Sequence, residues 1–574
     1  MKKINFERKR EIEPEEILFE SQRKKEEEFK SRLEIKIEKK VFNLIFILAL
    51  FLIFAFFGRQ FFLFLQKDFW IKESQATFIR SFPIIPPRGL ILTKEGEVLV
   101  ENVFQEVFLD GGKFKREVIK RRYKDPQIFS PILGYLGEVD KTELSKDPYY
   151  TFGDSIGKSG VEKSAEKYLR GEKGKIEKVV NAFGEVLEEF TQVFPPKEGF
   201  NVILNISGEA QRKLYEIIQR RVPQKKVAAL VFNPQNGKIL ALVSLPSDDT
   251  NIFLEGSLFQ KDFQKFQNEN KIFNQNRVIS GLYPSGSTIK PLILLSALEE
   301  GIVSTNTQLN CPGFIEIPNP YGPSTLKKCW RVHGKVDIFK AIAESCNVFF
   351  FTLGGGTKDF QGLGIERIKK YLQKFFLEKE LGIDLPGEKV GFVPTPEWFE
   401  KGRKSIEKRN WSIADVYDVS IGQGYFLTTP LHLAFAVASI VNGGKILKPQ
   451  VIDKIVDKNG KIIKEFQPEI LAENIAKKEN LEIVKKAMED CVNFPSGTCH
   501  KLKDLPVSSG GKTGTAESSV PGKYFSWYLG FAPAKNPEVF IQVLVEESEG
   551  GERGAIPIAR EFLEWYFQNK ATQG

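Results

Sequence analysis

An uncharged run of eighteen residues, Val41 to Gly58 (VFNLIFILALFLIFAFFG), constrains this chain more than any other feature. It has no polar face, and its length is near the minimum for a helix that crosses a bilayer, about 17–20 residues. A buried core helix would ordinarily keep one polar side. A cleaved signal peptide would follow a shorter leader and end on small residues, and neither holds here. Lysine and arginine crowd the preceding stretch (Arg23, Lys24, Lys25, Lys30, Arg32, Lys36, Lys39, Lys40) and thin out after it to Arg59, Lys67 and Lys72. The positive-inside bias therefore makes residues 1–40 a charged cytoplasmic tail and residues 41–58 a transmembrane helix, with everything beyond Gly58 outside.

The 574 residues, 41% of them hydrophobic, suffice for two or three folded cores. A net charge of +9 is diluted by 74 acidic residues and gives no reason to expect nucleic acid. Residues 59–205 are punctuated by turns. Phe82-Pro83-Ile84-Ile85-Pro86-Pro87-Arg88-Gly89 is an extended entry, Leu90–Leu92 and Glu97–Val100 are short strands, and a helical stretch stops near Gly171. This region carries no catalytic cluster and suits a mixed, β-rich pedestal. From 206 to 574 the pattern changes. Val227–Phe232 and Ile239–Val243 flank Pro234-Gln235-Asn236-Gly237, a hairpin signal. A mostly helical middle follows, then strands around Lys512, at Tyr524–Phe531 and at Val539–Val545, and a helix from about Pro557. Strands at both ends with helices between predict an α+β fold, one antiparallel five-stranded sheet covered by helices.

Three short segments lie within that framework: Ser287-Thr288-Ile289-Lys290, Ser345-Cys346-Asn347 and Lys512-Thr513-Gly514-Thr515. Serine–lysine pairs at this spacing are common here (Ser155–Lys158, Ser164–Lys167, Ser324–Lys327, Ser405–Lys408). Ser287 differs because Tyr283-Pro284-Ser285-Gly286 makes a turn and Ile289–Leu298 reads as a buried helix. At the start of that helix, free N–H groups favour developing negative charge. A serine is a poor nucleophile until a base takes its proton, and Lys290, one turn on, can do so only when burial and a nearby cation lower its pKa. Lys512 is the natural second cation. Ser345 can relay a proton and the Asn347 amide can hold substrate backbone. Lys512, Thr513 and Thr515 can bind a carboxylate, and Gly514 removes a side chain where substrate would lie. The backbone N–H groups of Ser287 and Thr515 are candidates for an oxyanion hole.

These motifs resemble the class B penicillin-binding proteins, most closely the penicillin-binding protein 2 (elongation) branch. The resemblance extends to Pro87-Arg88-Gly89-Leu90-Ile91, Gly157-Lys158-Ser159-Gly160-Val161-Glu162-Lys163, Gly382-Ile383-Asp384-Leu385-Pro386-Gly387 and Ile421-Gly422-Gln423-Gly424. Asn347 departs from it, standing where that branch often has aspartate. The resemblance implies a serine D,D-transpeptidase that cross-links peptidoglycan stem peptides, is acylated by β-lactam antibiotics and needs no cofactor for chemistry. It also implies no glycan polymerase of its own, so the partners would be a SEDS-type membrane polymerase and elongation-complex proteins. A division-type role, hydrolysis as a carboxypeptidase or β-lactamase, and β-lactam sensing are the alternatives that use the same acylation site.

Five cysteines remain. Cys311, Cys329 and Cys346 group with His333, while Cys491 and Cys499 are close in sequence. Outside the cytoplasm disulfides are the simplest expectation, and an odd count leaves one thiol over. The sharper reading is a structural zinc on Cys311, Cys329, His333 and Cys346, and a metal site in this stretch is also what the resemblance to penicillin-binding protein 2 implies.

Overall fold

A computed structural model describes residues 39–69, 79–109, 114–180, 186–251, 275–317, 323–549 and 551–573. The expected tail lies outside the described residues apart from Lys39 and Lys40. The chain forms two compact units, Met1–Pro83 with Lys175–Phe194, and Ile84–Gly174 with Pro195–Gly574. In the first, helix α1 (Lys39–Leu65) is longer than the uncharged run, because apolar residues Phe61–Leu65 resume after Arg59 and Gln60. Its 27 residues are long and apolar enough to cross a membrane. Strands Ile79–Ile84, Gly174–Val180 and Val186–Phe194 make a three-stranded sheet.

The second unit holds a mixed six-stranded sheet in the order Ile462–Glu465, Ile452–Val456, Asn201–Leu204, Ile91–Leu92, Val98–Leu109, Phe114–Tyr123. Strand pairing thus crosses the boundary expected at residue 205. A buried ion cluster braces this region. The Arg88 guanidinium donates to Glu166 (2.9 and 2.8 Å) and Glu162 (2.7 Å), and Arg121 Nε donates to Glu162 Oε1 (2.8 Å). Glu166 also accepts from the Gly157 N–H and the Tyr150 hydroxyl, both at 2.8 Å. Two of the sequence motifs therefore meet here, Pro87-Arg88-Gly89 and Gly157–Lys163. Gly89 packs so tightly that a Cβ would overlap the Phe200 carbonyl.

The central sheet comprises β1 (Val227–Phe232), β2 (Ile239–Leu245), β3 (Gly510–Glu517), β4 (Tyr524–Ala532) and β5 (Val539–Ser548), all antiparallel in the order β2-β1-β5-β4-β3. Alternate residues fill two different cores. Val227, Ala229, Val231, Tyr528, Ile541 and Val543 join α2 (Gly208–Arg221) and the C-terminal helix on one face. Ala228, Leu230, Leu529, Phe540 and Leu544 join the helical middle on the other. Both faces are buried, so these strands read as continuous apolar runs. The helical middle includes α3 (Lys290–Glu299), α4 (Ile338–Ala343), α5 (Asn347–Gly355), α6 (Pro430–Val441) and α7 (Lys478–Asn493), and α8 (Gly551–Gln573) closes the chain. Leu230, Gln542, Leu529 and Lys512 are in register across four strands. Lys512 therefore points from edge strand β3 toward the helical middle, as Leu230 and Leu529 do.

Burial alone would raise the pKa of the fully buried Glu162, but Arg121 and Arg88 outweigh it and hold the carboxyl below its usual value. The stabilisation it brings is complete above the unfolded carboxyl pKa, about 4.3. It is lost as pH falls through the lower folded value. Glu162→Ala would leave two buried guanidinium groups short of a partner, and a loss of about 3–5 kcal/mol is expected in denaturant unfolding of the detergent-solubilised chain near pH 7. A change under about 1 kcal/mol would show instead that the cluster adds little.

Candidate active site

Ser287 lies in a 3-10 turn, Gly286–Ile289, that runs directly into α3. With three residues per turn, positions 287 and 290 eclipse, a closer alignment than the α-helical start expected from sequence. The turn is seated from three sides. The Gly286 N–H donates to the Gly422 carbonyl (2.9 Å), Trp527 Nε1 donates to the Pro284 carbonyl (3.1 Å), and the Tyr283 hydroxyl donates to Glu546 (2.8 Å). Gly286 has φ +53°, and a Cβ there would come within 2.7 Å of the Thr515 carbonyl. Ser287 is half-buried.

Lys290 is fully buried, with its ammonium 5.2 Å from the Phe350 ring centroid. Nζ donates to the Ser345 carbonyl (2.9 Å), the Ser345 hydroxyl (3.2 Å) and Asn347 Oδ1 (2.7 Å). Burial brings its pKa down to about 8, against the opposing pull of Cys346 and Cys329. Helix α4 starts where the Asp337 side chain accepts from the Lys340 N–H (2.8 Å) and ends before Ser345. Ser345 has φ +57°, an uncommon left-handed conformation for serine, and α5 begins at Asn347. That reversal turns the Ser345 carbonyl and the Asn347 amide onto one amine. Trp330 Nε1 also donates to the Ser345 carbonyl (3.3 Å), a contact no sequence pattern indicated.

Lys512 is fully buried on β3, and its Nζ donates to the Thr513 carbonyl (3.0 Å). Burial first, then the charge of Lys290, pushes its amine well below the ordinary lysine range. Thr513 is half-buried and Thr515 exposed. The Thr515 carbonyl accepts from Gln423 Nε2 (3.4 Å) and so points away from β4. In an antiparallel strand the N–H of the same residue points the same way, off the edge of the sheet. Gly514 serves a different end from the one its position suggested. A Cβ there would meet the Ser285 carbonyl at 2.8 Å and the Thr288 side chain at 2.9 Å, so its bare face seats the Ser287 turn rather than substrate. The rival serine–lysine pairs lie elsewhere, with Lys158 on Glu143 (2.5 Å) and Lys327 on Asp418 (2.6 Å).

Cys311, Cys329, His333 and Cys346 converge, and their ligand atoms all lie within 4.8 Å of one another. His333 Nε2 is 3.3 Å from the Glu344 carbonyl, an acceptor that fixes the proton there. Nδ1 is then left with a lone pair toward Cys311 (3.5 Å) and Cys329 (3.6 Å). A hydrogen bond from the Cys346 thiol holds Cys329 toward the thiolate. The Asn347 N–H donates to that same sulfur (3.2 Å). The other two cysteines, Cys491 and Cys499, form a disulfide. The loop it closes carries Thr498, whose hydroxyl bonds the Thr513 hydroxyl at 2.8 Å. Sequence reasoning missed this residue, and the paired cysteines were its only signal.

Residues 227–564 match the family model of the penicillin-binding protein transpeptidase domain, and residues 111–204 match the penicillin-binding protein dimerisation domain. The chain is 30% identical to the peptidoglycan D,D-transpeptidase MrdA of Haemophilus influenzae, over 80% of this chain and 71% of that protein. It is 28% identical to MrdA of Salmonella typhimurium, over 88% and 92% respectively. Among solved structures, the Helicobacter pylori penicillin-binding protein PBP2, in complex with MreC, superposes with a TM-score of 0.71 at 24% identity, covering 86% of this chain and 99% of that one. PBP2 of Pseudomonas aeruginosa gives 0.67 at 26% identity, over 85% and 96%.

Proposed function

The chain belongs to the penicillin-binding protein transpeptidase family, and from that premise we infer a serine D,D-transpeptidase of the elongation type, cross-linking peptidoglycan stem peptides and maintaining cell shape. The observation that carries this reading is the Lys290 amine, buried, lowered toward neutrality, held by Ser345 and Asn347, and one turn from Ser287.

In this reading Ser287 Oγ attacks the carbonyl carbon between the two terminal D-alanines of a donor stem, and its proton passes to neutral Lys290. A neutral amine has two N–H groups and one lone pair, so one of its three present bonds must yield when the lone pair faces Ser287. The N–H groups of Ser287 and Thr515 stabilise the oxyanion, a feature worth about 3–4 kcal/mol per donor elsewhere. The C–N bond breaks, and D-alanine leaves with a proton relayed from Lys290 through the Ser345 hydroxyl. An amine of a neighbouring stem then attacks the ester. It gives one proton to Lys290, and Ser287 recovers its own on departure. Lys512, Thr513 and Thr515 hold the terminal carboxylate, and the Asn347 amide nitrogen is offered to substrate backbone. A β-lactam enters by the same route and remains as the acyl-enzyme.

Helix α1 is assigned as a single-pass inner-membrane anchor, its positive flank inside and the catalytic region outside. The partners proposed are a SEDS-type glycan polymerase and elongation-complex proteins, in line with the Helicobacter protein's complex with MreC. Cys311, Cys329, His333 and Cys346 are proposed to hold a structural zinc. Three sulfurs and one imidazole nitrogen within 4.8 Å of one another are a donor set that would suit zinc. The ion would cross-link the segment that carries Ser345 and Asn347.

Mass spectrometry of the intact chain after penicillin exposure is expected to show one adduct, on Ser287 and absent from Ser287→Ala. An adduct elsewhere sinks the assignment, and rapid turnover of it would favour a hydrolase. Acylation should also quicken as pH rises through about 8, because only the neutral Lys290 amine accepts a proton. A rate flat between pH 6 and 9 would remove Lys290 as base. Elemental analysis of protein purified without chelator should find about one zinc per chain, lost in Cys311→Ser. No zinc in the parent protein ends that proposal.

A further inference from the structure

We infer that Thr498, clamped by the Cys491–Cys499 disulfide, is a positioning residue that orients the Thr513 hydroxyl and so sets affinity for the carboxylate of stem peptides and β-lactams. This rests on the reading of Thr513 as a carboxylate ligand.

The loop after α7 is fixed on every side. Cys491 sits in the last turn of α7, and Cys499 lies eight residues on, with their Cα atoms 5.1 Å apart. The Cys499 N–H donates to the Cys491 carbonyl (3.0 Å) and the Gly497 N–H to the Phe494 carbonyl (2.9 Å). Toward the Ser345 segment, the Thr498 N–H donates to the Ala343 carbonyl (2.9 Å) and the Ser496 hydroxyl to Glu344 (2.6 Å). Toward β3, the Thr498 and Thr513 hydroxyls are 2.8 Å apart. The loop thus bridges two of the three motif segments, the one that carries Ser345 and the one that carries Thr513, and Thr498 bonds toward both.

The proton count gives the contact its direction. Each threonine hydroxyl has one proton, and a carboxylate only accepts. In the free protein Thr513 donates to Thr498. Once a carboxylate arrives, Thr513 must turn its proton outward, and its oxygen then needs a donor. Thr498 is that donor. The Cys491 sulfur, 3.3 Å away, has no proton to give when disulfide-bonded and is a weak acceptor, so it does not compete for the Thr498 proton.

The test is stopped-flow acylation of the full-length, detergent-solubilised protein by benzylpenicillin, separating pre-covalent affinity from the acylation rate. Thr498→Val should weaken affinity about 3- to 10-fold, the range for one neutral hydrogen bond, and change the acylation rate less than about twofold. Thr498→Ser should restore it. The Cys491→Ser/Cys499→Ser double variant should shift affinity the same way. With benzylpenicillin methyl ester, which lacks the anionic acceptor, Thr498→Val and parent should bind alike. Unchanged affinity in Thr498→Val, an equal loss for the ester, or a loss confined to the rate would each overturn the inference. A parent chain that takes no adduct on Ser287 would overturn the proposed function, a separate result. Thermal melting of Thr498→Val at the parent temperature guards against a folding defect.

Discussion

Two lysine amines are buried within electrostatic reach of each other, and most of the surrounding structure can be understood as what that arrangement requires. Lys290 and Lys512 are both fully buried, and neither ends on a carboxylate. Water would solvate an ammonium far better than these carbonyls and one amide oxygen do, so both pKa values fall. Two like charges so close oppose each other further, and the pair carries one proton more easily than two.

Holding two amines in this state takes unusual backbone. A 3-10 turn eclipses Ser287 and Lys290, Ser345 adopts a left-handed conformation, and Gly286 and Gly514 let the turn press against β3. Each is locally unfavourable and persists because rigid elements impose it. The sheet fills both its faces with apolar side chains, and the Cys/His cluster and the disulfide sit on the loops that carry Ser345 and Thr498.

Much of this was legible from the chain alone. Spacing placed Lys290 over Ser287, and continuous apolar runs announced β1, β2, β4 and β5. The rest lay beyond local pattern. Nothing in Ser-Cys-Asn announces a positive φ, which arises where the chain turns from α4 into α5. The role of Gly514 depends on what faces it across space. Thr498 sits in a loop with no periodicity. Helix α1 outran the uncharged segment because a single arginine and glutamine do not end a helix.

The mixed sheet joins residues 91–123 and 201–204 to strands at 452–465, which follow α6 and its packing under β1 and β5. The polypeptide leaves the pedestal, builds most of the catalytic half, and returns to add two strands. Pedestal and catalytic half are therefore not beads on a string. Recombination that swapped one without the other would strand an open β edge on each fragment. The two halves are expected to have been inherited together, with mutations in one answered by changes in the other.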